Sequence, residues 1–309
     1  EKEGLQAISA REYLKLLNDG SDVLKVKTGG KSVVNMVPSR NLILEVDSSL
    51  MANDEIVPPK FKDLFVPQMN LQLKGNYVTK GTMMLLDLIV SNNWERPIYF
   101  NNTSLSTIGL NISEHVVMEG MAYRLLPVQK PEYVRDELVN TDLAMKNYME
   151  NFSFRGMNDP NAYLDEEYRR FASNHRSSLN SIAMALLDED RMEDAAKLLN
   201  YGLETIPHEA LPYDLSSGQS VPLFFEVGED EKALDIIEKI SKRSLDMIEF
   251  NTTEGRPYDR DMMISIEMIK YFIPLLEERG YEEEAAKLKQ RLESLIGSQS
   301  SSPSILERK

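Results

Sequence analysis

The apolar run 83–90, broken only by Asp87, ends in Asn93-Trp94-Glu95-Arg96-Pro97-Ile98-Tyr99-Phe100, and this junction constrains the fold more than any other stretch. The proline ring bars helical geometry at Arg96, so a helix formed by the apolar run must end there. Ile98-Tyr99-Phe100 then reads as a short buried strand. Ahead of the helix, Met69, Leu71 and Leu73 alternate with Gln68, Asn70 and Gln72, the period of a strand with one buried face. The unit is strand, helix, strand, and two strands sharing one sheet would require a right-handed crossover between them.

The sequence upstream extends this sheet. Ser9 with Glu12 predicts a capped helix carrying Tyr13, Leu14, Leu16 and Leu17, ended by Asn18-Asp19-Gly20. Residues 33–37 and 41–46 read as two strands joined at Pro38-Ser39-Arg40. A long loop, 47–67, is stiffened by Pro58-Pro59 and held to the core by Phe61, Leu64 and Phe65. Downstream, 116–119 and 121–126 predict either a strand pair or one strand bulged at Gly120. Residues 142–154 have helical spacing, and Asp159-Pro160 predicts a helix start carrying an aromatic stripe of Tyr163, Tyr168 and Phe171.

From about residue 177 the pattern becomes helix pairs. Leu179, Ile182, Ala183 and Leu186, followed by Ala195, Leu199, Gly202 and Pro207, fit the offsets of a tetratricopeptide unit. A second unit runs through Phe224, Ala233, Ile237 and Ile240, and a third through Ile269, Phe272, Leu276, Ala285, Leu288 and Leu292. Their spacing is irregular, so 212–220 and 251–260 are read as inserted loops. The expected fold is α+β: a mixed-sheet domain over 1–157 with the strand-helix-strand unit, a tetratricopeptide-like helical domain over 158–297, and a polar tail over 298–309.

Charge narrows the function. Fifty acidic residues against 35 basic ones give a net charge of -15, which disfavours nucleic acid as a partner. With no cysteine, disulfides, thiolate metal sites and cysteine nucleophiles are excluded. No window approaches the ~20 apolar residues of a membrane span.

No motif supplies a catalytic centre. Thr28-Gly29-Gly30-Lys31-Ser32 resembles the end of a phosphate-binding loop, but Lys25 stands where the first glycine belongs, and a hairpin turn is the better reading. His115, His175 and His208 have no partners at metal-ligand spacing and are read as ordinary surface residues. Glu45, Asp47, Glu95 and Glu119 offer carboxylates for glycoside hydrolysis, but the separation that chemistry needs is not readable from sequence. Neither a metal nor a cofactor is expected. Trp94, Arg96, Tyr99, Glu119, Tyr123 and Arg124 are the candidate contact residues, since aromatics and arginine dominate sugar- and peptide-binding surfaces. The competing reading packs Trp94 beneath the crossover and pairs Arg96 with Glu95 or Glu119.

The order of 93–100, then Glu119-Gly120-Met121-Ala122-Tyr123-Arg124-Leu125-Leu126-Pro127, with Asn70-Leu71-Gln72-Leu73-Lys74 before and Ile206-Pro207 to Pro212-Tyr213-Asp214 after, resembles a family of large Bacteroidetes membrane proteins. Their multi-spanning N-terminal part is similar to membrane O-mannosyltransferases, and the resemblance covers the C-terminal soluble region. It implies a soluble part at the periplasmic face of the inner membrane, joined to the membrane region of the same parent chain. The family's expected catalytic acid lies in that membrane part, so no catalytic residue carries over. The resemblance therefore implies a non-catalytic accessory domain contacting a protein or peptide, or a glycan acceptor. A free-standing tetratricopeptide scaffold is the alternative, and a soluble carbohydrate-active enzyme the remote one.

Overall fold

A computed structural model describes residues 7–27, 29, 33–134 and 136–297. Two units divide the chain, Glu1–Asn151 and Phe152–Lys309. The first is built on mixed sheets and the second is helical, the α+β arrangement that the patterning predicts.

In the first unit, β1 (Ile8–Ser9) runs into α1 (Ala10–Asn18), with the Ser9 hydroxyl accepting the Glu12 amide at 3.4 Å. The strands β2 (Lys25–Lys27) and β3 (Val33–Asn35) form an antiparallel ribbon of their own. The two strands expected at 33–37 and 41–46 are present as β3 and as Asn41–Glu45, but β3 pairs with β2. Of the glycine turn between them, residues 28 and 30–32 lie outside the described residues. The chain continues through β4 (Asn41–Glu45), β5 (Gln68–Leu73), α2 (Lys80–Ser91), β6 (Tyr99–Phe100), α3 (Asn102–Thr107) and β7 (Leu110–Asn111). It closes with β8 (Val116–Met118), β9 (Tyr123–Leu125), β10 (Leu138–Val139) and α4 (Thr141–Lys146).

These strands make two four-stranded sheets, ordered β1-β4-β5-β7 and β10-β8-β9-β6. The strand-helix-strand unit exists, but its strands fall in different sheets, which removes the crossover argument. The place beside β5 is taken by β7, through Leu73 opposite Leu110, while β6 pairs with β9. β6 has only two residues before the Asn101 carboxamide caps α3 by accepting the Ser104 amide at 2.7 Å. As the alternation predicts, Met69, Leu71 and Leu73 face the core, each such side chain contributing about 1.5–3 kcal/mol. The helix α2 buries Leu86, Ile89 and Val90 but shows Met84 and Leu88 to solvent. Phe61 seals the loop onto Val117, Leu126 and Val128, with Leu64 and Phe65 packed beside it.

The histidines correct the surface reading. His115 is buried between the sheets, its Nδ1 2.6 Å from the Val128 carbonyl and its Nε2 3.2 Å from that of Asn70. His175 is buried in the helical unit, edge-on to Phe154.

The segment predicted as one helix over 142–154 is α4 followed by a π-helical turn, Asn147–Asn151. In the second unit, Asp159 caps only a turn, accepting the Asn161 amide at 2.9 Å; the true cap is Asp165, which accepts the Tyr168 amide at 3.1 Å and opens α5 (Glu166–Asp188). The helices α6 (Met192–Thr205), α7 (Leu215–Glu226), α8 (Asp230–Thr253), α9 (Arg260–Glu278) and α10 (Glu282–Gly297) follow. They form three successive pairs, with Ala183, Ala195, Ala233 and Ala285 buried at the contacts. The loop expected at 212–220 is mostly helix, because α7 starts at Leu215, whereas within 251–260 residues 254–259 are the expected loop between α8, which runs to Thr253, and α9. The polar tail expected over 298–309 lies outside the described residues. Among the described residues no helix is long and apolar enough to cross a membrane.

Candidate functional site

The junction at residues 93–100 builds a cleft. After α2, the Asn92 carboxamide donates to the Arg96 carbonyl at 2.8 Å, and the Glu95 amide donates to the Asn92 carbonyl at 2.9 Å. Between them the backbone turns left-handed at two consecutive residues, Asn93 (φ 46°) and Trp94 (φ 64°). Asparagine tolerates that region, but a bulky indole residue there is a genuine outlier costing of order 1–3 kcal/mol. Arg11 from α1 steadies the turn, its guanidinium donating to the Asn93 carboxamide oxygen at 3.0 Å. Pro97 then releases the chain into β6.

The pairing of β6 with β9 sets Tyr99 opposite Arg124. Beneath them lies Glu119, 4% exposed. The Tyr99 hydroxyl donates to Glu119 Oε2 at 2.6 Å, Arg124 Nη1 stands 3.6 Å from Oε1, and Asn140 Nδ2 donates to Oε1 at 3.5 Å. Arg124 also donates from Nη2 to the Glu55 carbonyl, which ties the 47–67 loop to the sheet. Its Nε is buried without a hydrogen-bond partner. Burial, then the Glu119 carboxylate, pushes the Tyr99 hydroxyl up to about 12, so Tyr99 stays a donor at every physiological pH.

Trp94, Arg96, Tyr99 and Arg124 line an open cleft of about 540 Å3 with Asn53, Glu55, Asn92, Asn93 and Glu95. Four of the six candidate contact residues thus meet on one wall, and Glu119 supports two of them from below. Tyr123 does not join them. It is buried with its hydroxyl donating to the Glu137 carboxylate at 2.8 Å, and burial first, then that carboxylate, raises its pKa. The packing alternative is also corrected. Trp94 is half-buried at the cleft, Arg96 is exposed and makes no ion pair among the described residues, and the arginine beside Glu119 is Arg124.

Because Glu119 is engaged by two hydrogen-bond donors and an ion pair with Arg124, the arrangement positions Tyr99 and Arg124 and, among the described residues, offers no free buried carboxylate beside a second one. Among the described residues no group of three or more histidine, aspartate or glutamate side chains could hold a metal ion. Sequence reasoning missed Asn53 and Glu55. Glu55 takes part through its backbone carbonyl, which no side-chain pattern signals, and Asn53 sits in a loop whose path depends on the Phe61 contact.

A second concavity lies in the helical unit. Leu215 of α7 and Met263, Ile264, Met268 and Tyr271 of α9 line an apolar groove of about 520 Å3, with Leu215 50% and Met263 45% exposed. Arg260 and Glu267 stand at its margin.

A family model described as TMEM260-associated domain 2 matches residues 1–143, the stretch that supplies every residue lining the cleft. The helical unit falls outside that match. Comparison with curated proteins finds no match, and comparison with solved structures finds none.

Proposed function

We propose that this chain is a non-catalytic accessory region of a membrane-embedded, O-mannosyltransferase-like protein, and that it receives an acceptor polypeptide or partner. The observation that carries this reading is the likeness of residues 1–143 to a TMEM260-associated domain. The resemblance of the wider sequence to the periplasmic part of Bacteroidetes membrane proteins supports the same placement, at the outer face of the inner membrane beside the parent's membrane region. The helix pairs, read as irregular tetratricopeptide-like repeats, supply the protein-contacting part. Their α7–α9 groove offers methionine, leucine, isoleucine and tyrosine side chains, the adaptable apolar lining that suits extended polypeptides.

The test is a photo-crosslinking amino acid placed at the exposed Met263, with the full chain incubated with membranes and their extracts. The expected result is capture of a polypeptide from the membrane system, and none when the probe sits at the exposed Tyr77 of the first unit. Capture of no polypeptide overturns the reading. So does glycan hydrolysis or sugar transfer by the purified chain that disappears in Glu95→Gln or Glu119→Gln, which would establish the carbohydrate-active-enzyme alternative instead.

A further inference from the structure

We propose that the Trp94–Tyr99–Arg124 cleft of the first unit binds a neutral saccharide. Three observations lead there. The first is the backbone at Trp94. A left-handed conformation at a bulky residue persists only where the surroundings hold it. Here Asn92, Glu95, Arg96 and Arg11 do so through the hydrogen bonds already described. That strain leaves the indole half-buried on the cleft wall, although a relaxed turn would be less costly. An indole so displayed offers a flat apolar face with a polar edge, the shape that stacks on the C–H face of a sugar ring.

The second observation is the hydrogen-bonding character of the wall. The polar side chains around Trp94 are carboxamides, carboxylates and guanidiniums: Asn53, Asn92, Glu95, Arg96 and Arg124. Planar groups with paired donors or acceptors match vicinal hydroxyls, each of which can donate and accept. Tyr99 adds a hydroxyl whose proton is committed to Glu119 and whose oxygen is left to accept.

The third is charge. The lining holds two glutamates, Glu55 and Glu95, against two arginines, Arg96 and Arg124. A phosphate or carboxylate ligand would face both glutamates, and a cation would face both arginines. A neutral polyol meets neither penalty. The volume of about 540 Å3 lies within the roughly 300–1,000 Å3 of small-ligand sites and leaves room for more than one sugar ring.

Trp94 is the only tryptophan in the chain, so its emission reports this cleft alone. The experiment titrates the full chain with glucose-, mannose- and N-acetylglucosamine-based disaccharides, with inorganic phosphate and an acidic peptide as controls. A saturable change of Trp94 emission with at least one disaccharide, and none with phosphate or peptide, is expected. In Arg96→Ala the dissociation constant should rise about tenfold, the loss of one hydrogen bond to a charged donor. Arg96 is exposed and makes no ion pair among the described residues, so that variant keeps its fold; far-UV circular dichroism and the unfolding midpoint check it. No response to any of the disaccharides overturns the proposal, as does a response to phosphate or peptide in their place, or a disaccharide response that Arg96→Ala leaves unchanged. The crosslinking test at Met263 reads a different unit with a different probe, so either idea can fail without the other.

Discussion

His175 carries the clearest consequence at the scale of a single residue. Its ring lies 4.7 Å from that of Phe154, centroid to centroid, and its Nδ1 is buried without a partner among the described residues. Burial holds its pKa near 4, against 6.5 for an ordinary histidine. The folded chain therefore refuses a proton that the unfolded chain accepts below about pH 6.5. Stability from this residue is fully present above that value and is lost as the pH falls toward 4, at about 1.4 kcal/mol per unit and on the order of 3 kcal/mol in all. Burial moves His208 in the same direction, and its Nδ1 accepts the Tyr213 amide at 3.1 Å. Replacing His175 by leucine should flatten, without abolishing, the dependence of the urea midpoint on pH between about 4 and 6.5. An unaltered slope in the variant would refute the assignment. The burial of His175 was not legible in the sequence. With no partner at metal-ligand spacing the residue reads as an ordinary surface histidine, and only the fold brings Phe154 onto the ring.

Between elements, the close approach of β7 to α2 decides how the strand-helix-strand unit sits. A Cβ added at Gly109 would meet Thr82 Oγ1 at 2.5 Å, Cγ2 at 3.2 Å and Cβ at 3.3 Å. Thr82 cannot simply swing away, because its hydroxyl lies 3.0 Å from that of Thr79, the residue that caps α2. Gly109→Ala should therefore cost about 1–3 kcal/mol, as overpacking of a filled contact does. Adding Thr82→Ala should return most of it, read as the unfolding midpoint of the double variant. Recovery of less than half would mean that the strain lies in the backbone and not in this contact. The same approach explains what the sequence could and could not disclose. Pro97 and the alternation at 68–73 are local signals: β5 spans the predicted residues, while α2 already ends at Ser91 and the buried strand expected at 98–100 is only Tyr99–Phe100, with Tyr99 exposed. Which strand fills the place beside β5 is decided by residues nearly forty positions away, and local pattern carries nothing about it. The start of α7 stayed hidden for another reason. Leu215-Ser216-Ser217-Gly218-Gln219-Ser220 has the composition of a loop, yet Asp214 and Ser217 form a capping box. The small residues are there because Met268 and Phe272 of α9 come close at Gly218. In the candidate site, residue type alone picked out Trp94, Arg96, Tyr99 and Arg124. Tyr123 does not line the cleft, as period-2 logic implies for the neighbour of Arg124 on one strand, since such neighbours face opposite ways.

For the molecule as a whole, the charge of -15 falls unevenly, -3 on residues 1–151 against -12 on 152–309, so the unit that carries the cleft is nearly balanced. An anion is repelled at long range by a strongly acidic body, and salt relieves that repulsion. A ligand held by two arginines as an ion pair would behave in the opposite way at short range, weakening as salt rises. A neutral sugar held by hydrogen bonds and stacking answers to neither. Raising the ionic strength from about 0.01 M to about 1 M shortens the screening length from roughly 30 Å to 3 Å, enough to erase either electrostatic contribution. Across that range the dissociation constant of a disaccharide read through Trp94 should stay within about twofold, since nothing in its binding depends on an unscreened charge. A steep fall in affinity with salt would mean that Arg96 and Arg124 act as an anion clamp. A steep rise would mean that the field of the whole chain governs what reaches the cleft. Either slope would displace the neutral-ligand assignment, and a flat line would separate the chemistry of this site from the charge of the body that carries it.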